Sequence, residues 1–169
     1  MSDATQKLAE TTIQRCTELQ QYVVTAESCT GGLIAGAITD IAGSSAALER
    51  GFVTYSNESK NEMLGVPAEM IDKHGAVNEE VVRAMVLGAL AHSKASFGVA
   101  VTGVAGPGGG SEEKPVGTVF IAIANKSEVL AYKYNFNWGR QRNRIYSTSM
   151  AWDLLRRKIL GFPMTWDKK

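Results

Sequence analysis

The chain has 169 residues, 18 of them Lys or Arg and 17 Asp or Glu, for a net charge of +1. That length can close one sizeable core, and a near-neutral balance supplies no global field to draw nucleic acid or an acidic membrane. Two cysteines, two widely separated histidines and no apolar run near ~18 residues argue against a disulfide framework, zinc-ligand spacing and a membrane span. A single cytoplasmic domain over residues 1–169, with its core at about 5–160, is the expectation; it needs no metal and no cofactor.

Residues 5–20 carry helical periodicity through Leu8, Ile13, Cys16 and Leu19. "YVVTA" then reads as a short buried strand. A second helix runs from Leu33 to about Ile41, with Gly43 suited to its C-terminal cap. A strand is expected around Phe52–Tyr55, and "NESKNEMLG" reads as a short helix with an Asn cap that ends at Gly65. Pro67 and Gly75 bracket another short helix. "VNEEVVRAMVLGALAHSKA" is the clearest helix, capped by Asn78, with Val81, Met85, Ala89 and either Leu90 or His92 facing inward. "FGVAVTG" is a buried strand, "VAGPGGGSEEKP" a glycine-rich loop, and "VGTVFIAIA" and "EVLAYKYNF" two strands at hairpin spacing. A long helix from about Arg140 to Leu160 precedes a tail from residue 161 to 169. Interleaved strands and helices followed by a hairpin predict a three-layer α/β/α sandwich around a mixed, mainly parallel sheet.

Three segments leave strand ends with polar residues and glycine, where ligands bind in open α/β sheets. In "AESCTGG", Ser28 sits where a strand turns into a helix, and the N–H groups of Thr30, Gly31 and Gly32 are expected to be free there. Free N–H groups can hold an oxyanion or a phosphate. The same residues equally suit a plain helix cap. Cys29 is the better intrinsic nucleophile but has no histidine in a polar loop to activate it, so it reads as a packed thiol. In "TYSNESK", Tyr55 and Lys60 straddle a strand-to-helix junction that can aim both at one point. A buried lysine can serve a serine as general base and a tyrosine can relay the proton; a core tyrosine and a surface lysine are the plain alternative. The loop "TGVAGPGGGSEEKP" can cradle a phosphate or sugar through its backbone, although it matches no common phosphate-binding fingerprint. "WGRQRNR" places Arg140 and Arg144 on one helix face, where two guanidiniums can bind a phosphate. It lacks the aromatic interleaving of a nucleic-acid module.

Taken in order, "AESCTGG", "GFVTYSNESK", "HGAVNEEV", "TGVAGPGGGSEEKPVGTV" and the closing arginines resemble the CinA C-terminal domain family of stand-alone nicotinamide-nucleotide amidases, over about residues 5–160. Longer CinA proteins carry a further N-terminal domain for which this chain is too short. The resemblance implies hydrolysis of nicotinamide mononucleotide to nicotinate mononucleotide and ammonia, in pyridine-nucleotide recycling, by serine–lysine–tyrosine chemistry through an acyl-enzyme. Ser28 would then be the nucleophile, Lys60 its base and Tyr55 a relay or orienting group. Thr30, Gly31 and Gly32 would hold the oxyanion. Thr102 with Gly103, Ala105, Gly106, Pro107 and Gly108 would line the nucleotide site. Arg140 and Arg144 correspond to the family's basic positions, where the family pattern is closer to G-D-R-x-x-x-R. The expected partner is the small nucleotide, with no nucleic acid and no membrane. A homodimer is expected because C₂ pairs are the commonest assembly. The competing reading, from the competence and DNA-damage names of the family, is a non-catalytic nucleotide-binding module; a pure binder needs none of Ser28, Tyr55 and Lys60.

Overall fold

A computed structural model describes residues 3–164; of the tail expected at 161–169, residues 165–169 lie outside the described residues. The elements in chain order are α1 (Asp3–Leu19), β1 (Val23–Glu27), α2 (Leu33–Thr39), β2 (Leu48–Val53), α3 (Asn57–Leu64), α4 (Ala68–His74), α5 (Glu79–Ala91), β3 (Phe97–Gly103), β4 (Thr118–Asn125), β5 (Val129–Asn135) and α6 (Arg140–Leu160). A 3₁₀ turn, Ser44–Ala46, lies between α2 and β2.

The strands form one mixed sheet in the order β2-β1-β3-β4-β5. β1 pairs in parallel with both β2 and β3, and β4 is antiparallel to β3 and β5. Four of the five strands therefore point one way, while the ladders divide evenly between parallel and antiparallel. Strand alternation feeds two cores. In β4, Val119, Ile121 and Ile123 face a layer that includes Ile34 and Ile38 of α2 and Trp152, Leu154 and Leu155 of α6. Phe120, Ala122 and Ala124 face the other layer, with Leu64 of α3, Ile71 of α4 and Val82, Met85 and Val86 of α5. The expected α/β/α sandwich is the result. Trp152, fully buried, donates its indole N–H to the Ile34 carbonyl at 3.2 Å and so ties α6 to α2.

Local boundaries differ from the expectations in four places. Gly43 does not end α2; Asp40 does, and Gly43, at φ +86°, opens the 3₁₀ turn instead. β2 starts earlier and stops at Val53, which leaves Thr54 and Tyr55 beyond it. Ser56, not Asn57, caps α3, because its hydroxyl accepts the Ser59 N–H at 3.1 Å. His92 is exposed, and Val82 and Val86 complete the inner face of α5. Asn78, Pro67 and Gly75 stand where expected.

Candidate functional site

The register of the parallel strands builds the site. Glu27 pairs with Val53 on one side and Val101 on the other, so Ser28, Thr54 and Thr102 each follow at the same level on the C-terminal edge. That edge is where open α/β sheets place their ligands. A cavity of about 300 Å³ lies there, bounded by Ser28, Tyr55, Lys60, Thr102 and Arg140 together with the glycine-rich loop.

Ser28 and Lys60, 32 residues apart, meet inside it. Lys60 Nζ lies 3.1 Å from Ser28 Oγ. Lys60 sits one helical turn past the Ser56 cap, and its chain curls back to the strand end. Nζ donates to the carbonyls of Thr54 at 2.8 Å and Ser56 at 3.3 Å, with that of Tyr55 at 3.4 Å. Lys60 is only 1% exposed. Burial pushes its pKa below the ordinary lysine value, against the opposing influence of Cys29 and Glu58. Three carbonyls and the Ser28 hydroxyl thus surround Nζ. In general, a lysine amine held neutral by burial can act as base toward a neighbouring serine hydroxyl.

Tyr55 lines the same cavity but at its mouth, 59% exposed. Its hydroxyl accepts a hydrogen bond from Arg140 Nη2 at 3.2 Å and makes none with Ser28 or Lys60. The tyrosine contributes its carbonyl, not its phenol, to Lys60. Arg140 also donates through Nη1 to the Gly106 carbonyl at 2.8 Å, which links the rim to the loop.

Arg144 is placed differently from the expected phosphate ligand. Its Nε and Nη2 donate to the carbonyls of Cys29 and Thr30 at 3.1 and 2.9 Å. It borders a separate groove of about 360 Å³ between α2 and α6, not the cavity of Ser28. One helical turn separates the two arginines, and the turn carries Arg144 behind the Ser28 segment while Arg140 stays at the rim. The groove is the larger of the two but holds no nucleophile–base pair.

The expectation of free N–H groups at Gly31 and Gly32 is corrected. Gly31 N–H donates to the Ser28 carbonyl at 3.0 Å. Gly32 N–H donates to the Glu27 carboxylate at 2.9 Å, as do Ile34 and Ala35 at 3.1 and 2.9 Å. Glu27 is wholly buried and caps α2 from five residues upstream of its cap position. Nothing local in the sequence signals this, because ordinary caps come from the cap residue itself. Cys29 is a packed thiol: burial pushes its pKa up to about 12.

Of the loop residues, Thr102, Gly103, Ala105, Gly106 and Gly108 line the cavity, and Pro107 points to solvent instead. Ala76 and Val77, between α4 and α5, complete the wall and were not anticipated as site residues. Three further ties, besides that of Arg140, fix the loop. Thr102 Oγ1 donates to the Ala76 carbonyl at 2.9 Å, Asn143 Nδ2 to that of Ala105 at 3.0 Å, and Lys114 Nζ to that of His74 at 2.6 Å. Among the described residues no group of His, Cys, Asp and Glu could hold a metal, and no helix is long and apolar enough to cross a membrane.

Fold, site and sequence converge on one family: residues 5–159 match the CinA C-terminal domain, and the chain belongs to that family. Among its relatives, the nicotinamide-nucleotide amidohydrolase PncC of Escherichia coli K12 is 52% identical over 139 residues, 82% of this chain and 84% of that one. The CinA-like protein of Syntrophus aciditrophicus is 49% identical over 145 residues, 86% of this chain. The chain spans only 34% of the length of that relative. The crystal structure of the competence/damage inducible protein CihA from Agrobacterium tumefaciens superposes with a TM-score of 0.90 at 48% identity, over 92% of this chain and 95% of that one.

Proposed function

We propose that this chain hydrolyses the carboxamide of nicotinamide mononucleotide to nicotinate mononucleotide and ammonia. The observation that carries the reading is the buried Ser28–Lys60 pair, 3.1 Å apart on the wall of a strand-end cavity. The 52% identity to PncC of E. coli, spanning most of both chains, supports the substrate.

Neutral Lys60 accepts the Ser28 proton as Oγ attacks the carboxamide carbon. The cationic pyridinium withdraws electrons and makes that carbon more electrophilic. The tetrahedral intermediate collapses with cleavage of the C–N bond, and ammonia leaves with the proton that Lys60 returns. Water, deprotonated by Lys60, then attacks the nicotinoyl ester, and Ser28 recovers its proton as nicotinate mononucleotide departs. Tyr55 and Arg140 stand at the mouth, where they orient the substrate instead of relaying protons to Ser28. No step calls for a metal.

The test is ammonia release from nicotinamide mononucleotide by the purified chain, with nicotinamide riboside as the control for phosphate recognition. Turnover of the mononucleotide and much slower turnover of the riboside is the expected result. Tight binding of the mononucleotide without ammonia release would establish a binding module instead.

A further inference from the structure

The segment that carries Ser28 is braced from two sides. From the interior, Glu27 takes the N–H groups of Gly32, Ile34 and Ala35. From α6, Arg144 takes the carbonyls of Cys29 and Thr30. The two sets of contacts close on the turn from both sides, and the first carbonyl that Arg144 holds belongs to Cys29, the residue next to a serine whose hydroxyl meets Lys60.

We propose that Arg144 is a positioning residue: by holding the carbonyls of Cys29 and Thr30 it fixes the turn that presents Ser28 Oγ to Lys60 and to the cavity. This rests on the reading of Ser28 as nucleophile. It assigns Arg144 to the reaction through the backbone, with no contact to the substrate phosphate. Two guanidinium nitrogens fixed on two successive carbonyls set both peptide planes at once. A lysine has the charge but not the fork, and cannot hold both in that geometry.

The experiment compares the wild type with Arg144→Lys and Arg144→Ala by two readouts. The first is phosphonylation of Ser28 by a fluorophosphonate, in which the Oγ–P bond forms and fluoride leaves, so the rate depends on the nucleophile and its placement but not on the nucleotide. The second is kcat and KM for ammonia release from nicotinamide mononucleotide. Both variants are expected to lose about 10²-fold in labelling rate and in kcat, the usual effect of displacing a reacting group by about 1 Å. KM should stay within about threefold, because uniform binding is untouched. Added methylguanidinium should restore part of the rate of Arg144→Ala. Should the alanine variant fail to fold, the lysine variant decides.

Labelling of Arg144→Lys at the wild-type rate would overturn the inference. So would a KM about tenfold higher at unchanged kcat, the mark of a phosphate ligand. A wild type that labels at Ser28 but releases no ammonia would overturn the substrate assignment alone, with the labelling comparison still deciding the role of Arg144. A wild type that does not label at Ser28 would overturn both.

Discussion

The β1–α2 turn and the β3–β4 loop leave the same edge of the sheet, and both are rich in glycine, yet they are held by different means. Glu27, Ser28, Cys29 and Thr30 are all buried, and the turn is gripped by one carboxylate and one guanidinium through five hydrogen bonds. In the loop, residues 107–113 are exposed, and the anchors sit only at its two ends, on Thr102, Ala105, Gly106 and Lys114. All five bonds of the turn are charge-assisted, whereas two of the loop's four anchors, those of Thr102 and Asn143, join neutral groups and the seven exposed residues between carry no anchor to the rest of the fold. The turn is therefore the rigid half of the site, suited to bond-making that tolerates little displacement. The loop is the adaptable half, suited to closing around a ligand.

The largest expected effects lie in the rigid half. Ser28→Ala and Lys60→Met should each lower kcat by about 10⁴-fold or more, as removal of a nucleophile or its base does elsewhere, while circular dichroism shows the fold retained. Cys29→Ala should leave kcat within about threefold, since a thiol with its pKa near 12 is not a nucleophile at neutral pH. The pH profile has a fixed sign. On the proposed mechanism Lys60 acts as the neutral base, and burial lowers its pKa from the ordinary 10.5. The rate should thus rise with pH and level off below 10.5. A profile that is flat through the neutral and alkaline range would remove Lys60 from the role of base.

How far the sequence anticipates this division follows from where each signal resides. The hairpin spacing of β4 and β5, the Asn78 cap and the Pro67–Gly75 bracket are short-range patterns, and all three are present in the fold. Ser28 and Lys60 could be singled out because each lies at a strand-to-helix junction, although their meeting depends on β1 and β2 lying side by side. The role of Glu27 and the contacts of Arg144 are not legible in the sequence. The carboxylate caps from within the strand, and the arginine reaches carbonyls 114 and 115 positions away. The charges of "WGRQRNR" suggested a phosphate; only the packing of α6 behind the turn shows which carbonyls Arg144 meets. Spacing points the Tyr55 phenol at Lys60 as a relay; in the fold only the Tyr55 carbonyl meets Lys60, and the phenol meets Arg140.

A stability comparison between the two anchors tests the contrast directly. Glu27→Gln keeps the size of the side chain but gives an acceptor position to an NH₂ group, which then faces a backbone N–H. Loss of charge assistance in a buried site, together with that unpaired donor, should destabilise by about 3 kcal/mol. For a chain of this size that lowers the melting temperature by roughly 10 °C. Lys114→Met removes one bond from a half-buried lysine to the His74 carbonyl. Its effect should stay near 1 kcal/mol or below. Equal losses in the two variants would break the distinction between a rigid turn and an adaptable loop.

The smallest effects come from a pair of glycines. Gly31 has φ +62°, and a Cβ there would stand 3.4 Å from Arg144 Nη2. Gly31→Ala therefore carries a left-handed penalty of about 1–2 kcal/mol and crowds the guanidinium that holds the turn. Gly108 has an ordinary φ, and nothing lies within 4 Å of an added Cβ. Gly108→Ala should shift stability by no more than about 0.5 kcal/mol, with a gain where the unfolded chain loses freedom. Kinetics separates the two further. Crowding of Arg144 should appear in kcat, because the turn that carries Ser28 is displaced, whereas a methyl on the loop wall should appear in KM alone. If Gly108→Ala lowers kcat as much as Gly31→Ala, the loop takes part in the bond-making step, and the two halves of the site are not divided as their anchoring suggests.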